Sequence, residues 1–215
     1  MSDETALGAA ERGVVAAATR LAGAAARDGR LHVDGGPIVP AGLERLASDA
    51  AGDGATATVE TRDDALRPDD PVVVAVTPGN DDGDGTALAR TFVVDGTGGW
   101  TRRAAVAVGM AHDAVRRVAE PGVPARRIVD EAVAELGAYG LAADGPVARG
   151  IDTSVGFESD EPLYAGQRFV LDPTAYDPDP DADRGRVRIG GWYAVADDGC
   201  RALSDLPTSL SPDAY

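Results

Sequence analysis

The sequence predicts a mixed α+β protein whose two halves repeat the same order of elements. Four segments carry helix signals, and the segments between them alternate with period two or form short apolar runs typical of strands. The predicted order is helix, helix, strands, and then again helix, helix, strands. With 215 residues the chain is long enough for one well-buried domain, so we expect a single domain over 1–215.

The first half opens with two predicted helices. The segment 6–26 is rich in alanine with charged residues spaced along it, and Gly29 is a helix-terminating residue. Pro40 is a favoured first residue of a helix, and the segment 40–51 that it opens carries Leu43 and Leu46 on one face. We therefore expect a helix over each segment.

The rest of the first half is predicted as a loop and three strands. The segment 28–40, with its glycines and prolines, is expected to be a loop. Threonine alternates with small apolar residues in 53–61, and 71–79 is a continuous apolar run, so both are predicted strands, as is 87–96. The acidic turn 80–85 lacks the glutamate that closes a calcium-binding EF-hand loop, so we do not interpret it as a calcium site.

The second half follows the same order. Apolar residues fall on one helical face in 99–120 and in 124–139, and Pro121 and Gly122 separate the two predicted helices. His112 lies beside the first apolar stripe, where we expect it to pack its ring rather than bind a ligand. The predicted strands are 147–151, 154–159, 167–176 and 186–197, and the proline-punctuated tail 204–215 is expected to be irregular.

The composition is strongly acidic. The formal net charge is −16, and all 20 basic residues are arginine, with no lysine. This composition is typical of cytoplasmic proteins of salt-loving organisms, because salt at about 1 M shortens the Debye length to roughly 3 Å and screens self-repulsion. Solvation of the surface is the interpretation we favour, with a docking surface for basic partners as the alternative. No basic stripe with interleaved aromatic residues suggests nucleic-acid binding.

Several features of the sequence bear on the cellular compartment and on possible catalytic mechanisms. Cys200 is the only cysteine, so no internal disulfide can form, which fits a reducing cytoplasm. No apolar run reaches the length of about 20 residues that a membrane span needs, and the N-terminus lacks signal-peptide features. A serine–histidine–aspartate mechanism is not indicated either, since the two histidines lie in unsuitable settings and the nucleophile motif is missing.

Four motifs, in the right order, resemble those of metallopeptidases with the pita-bread fold: methionine aminopeptidases, proline dipeptidases, Xaa-Pro aminopeptidases and creatinase. The family's first motif, a strand ending in aspartate and then D-x-T-R-T-F, is similar to 71–94, where Arg90, Thr91 and Phe92 match its end. The second aspartate position holds Ala87. The first falls on Ala75 or Val76, depending on how the loop is aligned.

The second motif, H-G-x-G-L-x-x-H-E-x-P, resembles 153–162. Its matching residues are Val155, Gly156, Phe157, Glu161 and Pro162. Thr153 stands at the metal histidine, and Asp160 stands at the second histidine, which contacts substrate in the family. The third motif resembles the end of a strand in which Pro173 and Tyr176 match and Asp172 replaces glutamate. The fourth places Gly190 at the last metal glutamate.

The resemblance implies a pita-bread fold, with helices packed outside a curved, largely antiparallel sheet. It also implies a site in which two divalent metal ions activate water and polarise the scissile carbonyl. At the ligand positions Val76, Ala87, Thr153 and Gly190 the side chains cannot replace the family's carboxylates and imidazole, and only Asp172 is acidic. We therefore expect no metal cofactor and no catalysis.

The favoured hypothesis is an inactive peptidase-like domain that binds a peptide or a protein, and self-association into a homo-oligomer stays open. Its candidate pocket residues are Arg90, Thr153, Asp160, Glu161 and Asp172. The alternative is a metal-dependent aminopeptidase or proline dipeptidase with a rearranged site, using Mn, Co or Zn. The acidic residues available for that alternative are Asp81, Asp82, Asp84, Glu158, Asp160, Glu161 and Asp172.

Overall fold

The computed structural model describes residues 3–63, 65–79, 86–151 and 156–215. The predicted α+β class is confirmed, because helices alternate with strands and every strand pair formed by described residues is antiparallel. The chain divides into two compact units. The first comprises Met1–Thr101, Asp183–Gly185 and Leu206–Tyr215, and the second comprises Arg102–Ala182 and Arg186–Asp205. The single domain over 1–215 stays a prediction.

The first unit contains two helices and two three-stranded sheets. The helices are α1 (Asp3–Ala22) and α2 (Pro40–Ala51). One sheet has the order β1 (Ala25–Arg27), β2 (Arg30–Val33) and β3 (Gly36–Pro37), and the other has the order β4 (Thr56–Glu60), β5 (Val72–Thr77) and β6 (Leu88–Phe92). The predicted helices and the three predicted strands of this half are confirmed, with α1 shifted toward the N-terminus.

Gly13 allows the elements of the first unit to approach closely. A Cβ atom at this position would lie 2.7 Å from the carbonyl oxygen of Ala47 and 2.9 Å from Cγ1 of Val76. Both distances are too short for any larger residue, so α1 packs on α2 and on β5 at a point where only glycine fits. The alanine-rich face of α1 is buried here.

The predicted loop over 28–40 is wrong, because this segment contributes two strands to a small sheet. Two Asp-Gly pairs make the turns: Asp28 and Gly29 have φ of 49° and 71°, and Asp34 and Gly35 have φ of 51° and 81°. Two successive residues with positive φ form the two-residue turn that best matches the twist of antiparallel strands. The Asp-Gly signal was in the sequence, and it outweighs the weak strand character of the flanking residues.

The second unit contains two helices and two sheets. The helices are α3 (Trp100–Val118) and α4 (Arg126–Ala138). The first two residues of α3, Trp100 and Thr101, are assigned to the first unit. A four-stranded sheet has the order β8 (Ala148–Gly150), β9 (Arg168–Leu171), β12 (Gly191–Ala196) and β13 (Gly199–Ala202). A three-stranded sheet has the order β7 (Ala142–Ala143), β10 (Thr174–Tyr176) and β11 (Arg186–Arg188).

Three predicted strands of the second unit needed correction. The run 167–176 is divided at Asp172 and Pro173, because proline lacks the N–H that a continuous ladder requires. The run 186–197 is divided at Ile189 and Gly190. The predicted strand 154–159 is wrong for its described part, since 156–159 forms a turn in which Ser159 N–H and Oγ donate to the carbonyl oxygen of Gly156.

The core of the second unit lies between the four-stranded sheet and the apolar faces of α3 and α4. Ala111, Val115, Ile128 and Ala132 pack from the helices, as their spacing predicts. From the sheet come Ala148, Phe169, Leu171, Tyr193 and Val195. Because side chains alternate along a strand, the residues between these ones lie on the opposite face of the sheet. That opposite face carries Arg149, Val170, Asp172 and Trp192.

The tail 204–215 has little regular structure beyond a short 3-10 helix at Pro212–Ala214. It nevertheless packs on the first unit through several contacts. Leu210 accepts a backbone hydrogen bond from Val93, and the ring of Tyr215 lies edge-on to that of Phe92, with 5.2 Å between the ring centroids. Residues 206–215 therefore pack as part of that unit.

Candidate functional site

Two of the predicted metal positions lie in the β5–β6 hairpin of the first unit. Val76 is fully buried and packs against α1 at Gly13, so its side chain lies on the helix-covered face of the sheet. The register pairs Val76 with Leu88 and Ala75 with Ala89, and its continuation by one residue sets Thr77 opposite Ala87. Directly opposed residues in an antiparallel pair share a face. Thr77 and Ala87 therefore share one face, and Val76 lies on the other.

Arg90 of the candidate pocket belongs to the same hairpin but is committed to the protein backbone. Its side chain is buried, and Nε donates to the carbonyl oxygen of Pro207 at 2.7 Å. The guanidinium also donates to the carbonyl oxygens of Ala89 and Leu206, at 2.8 and 3.4 Å. Arg90 thus anchors the tail on the first unit.

Asp172 is the one acidic residue among the predicted metal positions, and both of its carboxylate oxygens are engaged by an arginine. It lies at the end of β9 with 3% of its side chain exposed. Arg188 of β11 donates from Nε to Oδ1 at 2.9 Å and from Nη2 to Oδ2 at 2.5 Å. This two-pronged geometry is the strongest kind of carboxylate–guanidinium pairing.

A second arginine lies beside this pair. Nη2 of Arg149 in β8 is 3.9 Å from Oδ2 of Asp172, and 45% of its side chain is exposed. Arg188 is only 16% exposed. Among the described residues at this point, two guanidinium groups therefore approach one carboxylate.

Gly190 directly precedes β12 and Gly191 is its first residue, and there is no space for a side chain at Gly191. A Cβ atom at Gly191 would lie 2.8 Å from Cε2 of Tyr193 and 3.2 Å from Cε1 of His112. The absence of a side chain at Gly191 therefore makes room for this pair of rings.

His112 is buried and hydrogen-bonded through both ring nitrogens, as expected for a packed histidine. Nε2 lies 2.7 Å from the carbonyl oxygen of Ile189, and Nδ1 lies 2.7 Å from the hydroxyl of Tyr193. A carbonyl oxygen can only accept, so Nε2 carries a proton and donates to Ile189, and Nδ1 shares a hydrogen bond with the Tyr193 hydroxyl. This arrangement uses the imidazole to join α3 to β12.

Asp160 and Glu161 of the candidate pocket are exposed. Asp160 forms a surface ion pair with Arg126, with 2.6 Å between Oδ1 and Nε. The backbone carbonyl of Glu161 accepts a hydrogen bond from Ala125. These residues thus fasten the motif segment to the start of α4, and Asp172 differs from them in being buried.

Parts of both hypotheses fall outside the described residues. Thr153, at the predicted histidine position, belongs to the segment 152–155, and Asp81, Asp82 and Asp84 belong to 80–85. Within the described ranges, no group of three or more histidine, cysteine, aspartate or glutamate side chains could hold a metal ion. Nor does any helix there combine the length and apolarity needed to cross a membrane.

The described residues at the predicted metal positions do not fit a pair of divalent ions. Val76, Ala87 and Gly190 offer no side-chain ligand atom, and Asp172 is paired with Arg188. Hard divalent ions require carboxylate, carbonyl or imidazole ligands, and a neighbouring guanidinium repels them. The donor set therefore differs from the one that the resemblance implies.

Three residues of this face were not identified as candidates from the sequence: Arg149, Arg188 and Trp192. The indole nitrogen of Trp192 is buried and has no hydrogen-bond partner in the described part of the chain. Period-two alternation through β8, β9 and β12 was the signal that could have grouped Arg149 and Trp192 with Asp172, since the register pairs Arg149 with Val170 and Val170 with Trp192. For Arg188 the signal was its position two residues before Gly190.

Comparison with known proteins gives a family match and a set of structural matches. The sequence matches the profile of metallopeptidase family M24 over residues 47–197. Comparison with curated protein sequences gives no significant match.

The structure is similar to a dipeptidase from Mycobacterium ulcerans (TM-score 0.75, 21% identity), covering 96% of this chain and 58% of that one. It is also similar to an X-Pro aminopeptidase from Thermotoga maritima (TM-score 0.76, 15% identity), with 96% and 60% covered. A prolidase from Pyrococcus horikoshii has a TM-score of 0.77 at 17% identity, with 96% and 62% covered. At these identities the likeness shows the pita-bread fold, and the chain spans about three fifths of the length of these proteins.

Proposed function

The chain belongs to metallopeptidase family M24, and we propose that it is a catalytically inactive member that binds a peptide or a protein. The observation that carries this proposal is the pairing of Asp172 with Arg188. The only carboxylate among the described metal positions gives both oxygens to a guanidinium, at 2.9 and 2.5 Å. A metal ion at this carboxylate would have to displace Arg188 or bind next to its positive charge. Only 3% of the Asp172 side chain is exposed to solvent, so either arrangement is costly.

The β5–β6 hairpin supports the same proposal. The resemblance implies that two aspartates of this hairpin hold one pair of metal ions, so both must lie on the same face of the sheet. Thr77 and Ala87 share a face here, whereas Val76 packs on α1. This face excludes Val76 but not Ala75, and we propose that Thr77 stands at the first aspartate position because it lies directly opposite Ala87. A single threonine hydroxyl opposite an alanine methyl group is a poor substitute for two carboxylates.

The proposed role relies on the scaffold that persists around these positions. Phe157 of the second motif packs on Phe169, with 5.3 Å between their ring centroids, and Pro162 forms a β-bridge with Pro124. The ring contact lies in the core, on the other side of the sheet from Asp172, so it holds β9 in place without supplying metal ligands. A binding role needs the face that carries Asp172, whereas hydrolysis needs the ions as well.

Isothermal titration with Mn²⁺, Co²⁺ and Zn²⁺ is the direct test. We expect no binding at two sites for any of the three ions, and no release of an N-terminal residue or of proline from short peptides in their presence. Tight binding of two ions, together with peptide cleavage that is lost in Asp172→Ala, would instead establish the alternative, a metal-dependent aminopeptidase or proline dipeptidase with a rearranged site.

A gain-of-ligand variant sharpens this test. Thr77→Asp combined with Ala87→Asp places two carboxylates on one face of the hairpin, whereas Val76→Asp combined with Ala87→Asp places them on opposite faces. If Thr77 is the relevant position, the first pair of substitutions creates weak Mn²⁺ binding and the second does not. The second variant also buries a charge against α1, so its folding is checked by circular dichroism before titration.

A further inference from the structure

The first unit exposes an apolar stripe on the outer side of α2. One side of this helix is buried in the unit, whereas Val39 and Leu46 are 50% and 37% exposed. Val39, Gly42 and Leu46 are spaced by three and four residues, so they lie in one row along the helix. Exposed apolar residues that are contiguous, unlike scattered ones, mark contact surfaces.

A groove runs beside this stripe. Among the described residues that line it, Arg20 of α1 is the one that carries a charge, and the lining also includes Ile38, Gly42 and Leu43. Nη1 of Arg20 lies 2.5 Å from Oδ2 of Asp34, so its charge is already offset. The groove therefore presents apolar surface rather than a site for an anion. Its volume of about 280 Å³ is just below the range of about 300–1,000 Å³ that is typical of small-molecule sites, and side chains of a protein suit it better.

Two charged residues border the stripe. Arg45 and Asp49 are exposed, and neither pairs with a described residue. They are four residues apart and therefore lie on one flank of α2. An arginine that precedes the carboxylate is the less favourable order for an ion pair within a helix, because it opposes the helix dipole. Both charges are thus available to a partner that presents an acidic and a basic group at the same spacing.

A second copy of α2 in antiparallel orientation has that pattern. Each helical residue advances by about 100° and about 1.5 Å, which places Arg45 and Asp49 roughly 100° and 60° from Leu46 on the same side. A two-fold axis perpendicular to the helices makes this flank face its own counterpart in the reverse direction. With the axis level with Ala47, Arg45 of each copy lies level with Asp49 of the other. The two Leu46 side chains are then offset by only about 3 Å along the helices.

We propose that the outer side of α2 forms the interface of a symmetric homodimer, with the apolar stripe at its centre and two Arg45–Asp49 ion pairs at its rim. An apolar centre with a charged rim is the usual anatomy of a protein interface, and flanking ion pairs set the orientation of paired helices. The inference goes beyond the proposed function and does not rest on it, since α2 belongs to the first unit and Asp172 to the second.

Two physical effects set the conditions of the test. The helix has 12 residues and spans about 18 Å, so the interface is small and we expect a dissociation constant on the order of 10 µM. The net charge of −16 makes two copies repel each other. At about 0.5 M KCl the Debye length lies between roughly 8 and 3 Å, which screens charges spread over the chain and leaves ion pairs at contact. We therefore expect a dimer in analytical ultracentrifugation at about 100 µM protein in this salt.

Leu46→Gln tests the apolar centre. It should weaken association at least about tenfold, because each dimer loses two buried leucine side chains. Val133→Gln on α4 is the matched control, since Val133 is 43% exposed and lies in the other unit. It should leave the dissociation constant unchanged. Circular dichroism confirms that each variant is folded.

Charge-reversal variants test the ion pairs. Arg45→Asp sets aspartates against aspartates in a homodimer, and Asp49→Arg sets arginines against arginines, so each variant alone should associate about tenfold more weakly than the wild type. An equal mixture of the two variants restores opposite charges at both pairs and should associate as tightly as the wild type. The mixture has the same total charge as two wild-type copies, so only the local pairing differs.

Three results would each overturn the proposed interface. They are a wild-type protein that remains monomeric under these conditions, unchanged association in Leu46→Gln, and a mixture of the two charge variants that associates no better than either variant alone.

Discussion

Arg188 holds both carboxylate oxygens of Asp172, from Nε at 2.9 Å and from Nη2 at 2.5 Å. The pair joins the end of β9 to β11, and the aspartate is almost fully buried. Because a buried carboxylate that loses its partner remains charged in a poorly hydrated place, Arg188→Met should lower the free energy of unfolding by about 3 kcal/mol. Urea denaturation measures this change.

The exposed pair of Arg126 and Asp160 is the matched control for that prediction. Its N–O distance of 2.6 Å is similar, but 58% and 71% of the two side chains are exposed. Arg126→Gln should therefore cost no more than about 1 kcal/mol. The double variant Asp172→Asn with Arg188→Met should be less destabilised than Arg188→Met alone, since no unpaired charge remains. Equal losses for the buried and the exposed pair would contradict the role given to burial.

Gly191 is predicted to reject even a methyl group. In Gly191→Ala the new Cβ would lie 2.8 Å from Cε2 of Tyr193 and 3.2 Å from Cε1 of His112. The ring of Tyr193 must then move, which strains its hydrogen bond to His112, so we expect destabilisation of about 1–3 kcal/mol. Thermal unfolding followed by circular dichroism measures the loss.

Gly137 supplies the comparison for Gly191. It lies in α4, and a Cβ atom there would meet nothing within 4 Å. Gly137→Ala should stabilise the protein by about 0.5–1 kcal/mol, because alanine is the better helix former. If both substitutions shift the thermal midpoint in the same direction, the packing argument at Gly191 fails.

Cys200 is predicted to react slowly with thiol reagents. Burial raises the pKa of its thiol to about 11, although Arg116 opposes the shift. The thiolate is the reactive form, so labelling should speed up roughly tenfold per pH unit between pH 7 and 10. Arg116→Gln removes the favourable charge and should slow labelling further. Labelling of the folded protein as fast as that of the urea-unfolded chain would refute the prediction.

The same pKa has a consequence for stability. A thiol in the unfolded chain has a pKa of about 8.5, below the folded value, so the folded state holds its proton more tightly. The contribution of Cys200 is therefore fully present below about pH 8.5 and is lost as the pH rises toward 11. Denaturation at pH 7.5 and pH 10, with Cys200→Ala as the reference protein, isolates this contribution.

Helices were the easiest elements to predict, and the reason is physical. Pro40 fixes a helix start and Leu43 faces the core, so the segment Pro40–Ala51 follows from local chemistry alone. The hairpins around Asp28–Gly29 and Asp34–Gly35 were equally local. The loop prediction missed them because the strands that they join, Ala25–Arg27, Arg30–Val33 and Gly36–Pro37, are too short to show an alternating apolar pattern.

The site was harder to predict because its geometry depends on register and on distant partners. Val76 and Thr77 are neighbours in the sequence, but only the pairing of β5 with β6 shows which of them shares a face with Ala87. Asp172 was identified from a motif, whereas its partner Arg188 comes from another strand 16 residues later. A sequence pattern specifies which side chains lie on a strand and does not specify which strand lies beside it.

Arg90 provides the last prediction, because its motif position suggests a functional residue whereas its contacts indicate an anchor for the tail. Its guanidinium donates to the carbonyl oxygens of Leu206 and Pro207, and the hydroxyl of Tyr215 donates to Pro207 and Ser209. Arg90→Gln leaves the half-buried acceptors of Leu206 and Pro207 without a charged donor. We expect the tail to open at least about tenfold more often, as each such bond contributes roughly 1.5–3 kcal/mol.

Amide hydrogen exchange at Val93, whose N–H donates to the carbonyl oxygen of Leu210, measures that opening, since exchange follows the population of the open tail when closing is fast. Tyr215→Phe keeps the ring contact with Phe92 and loses only the hydroxyl bonds, so exchange at Val93 should be only a few-fold faster. Arg20→Gln removes an exposed arginine from the same unit and should have no effect. If Val93 exchanges at the wild-type rate in Arg90→Gln, Arg90 does not hold the tail, and a ligand-binding role for this arginine becomes the better explanation.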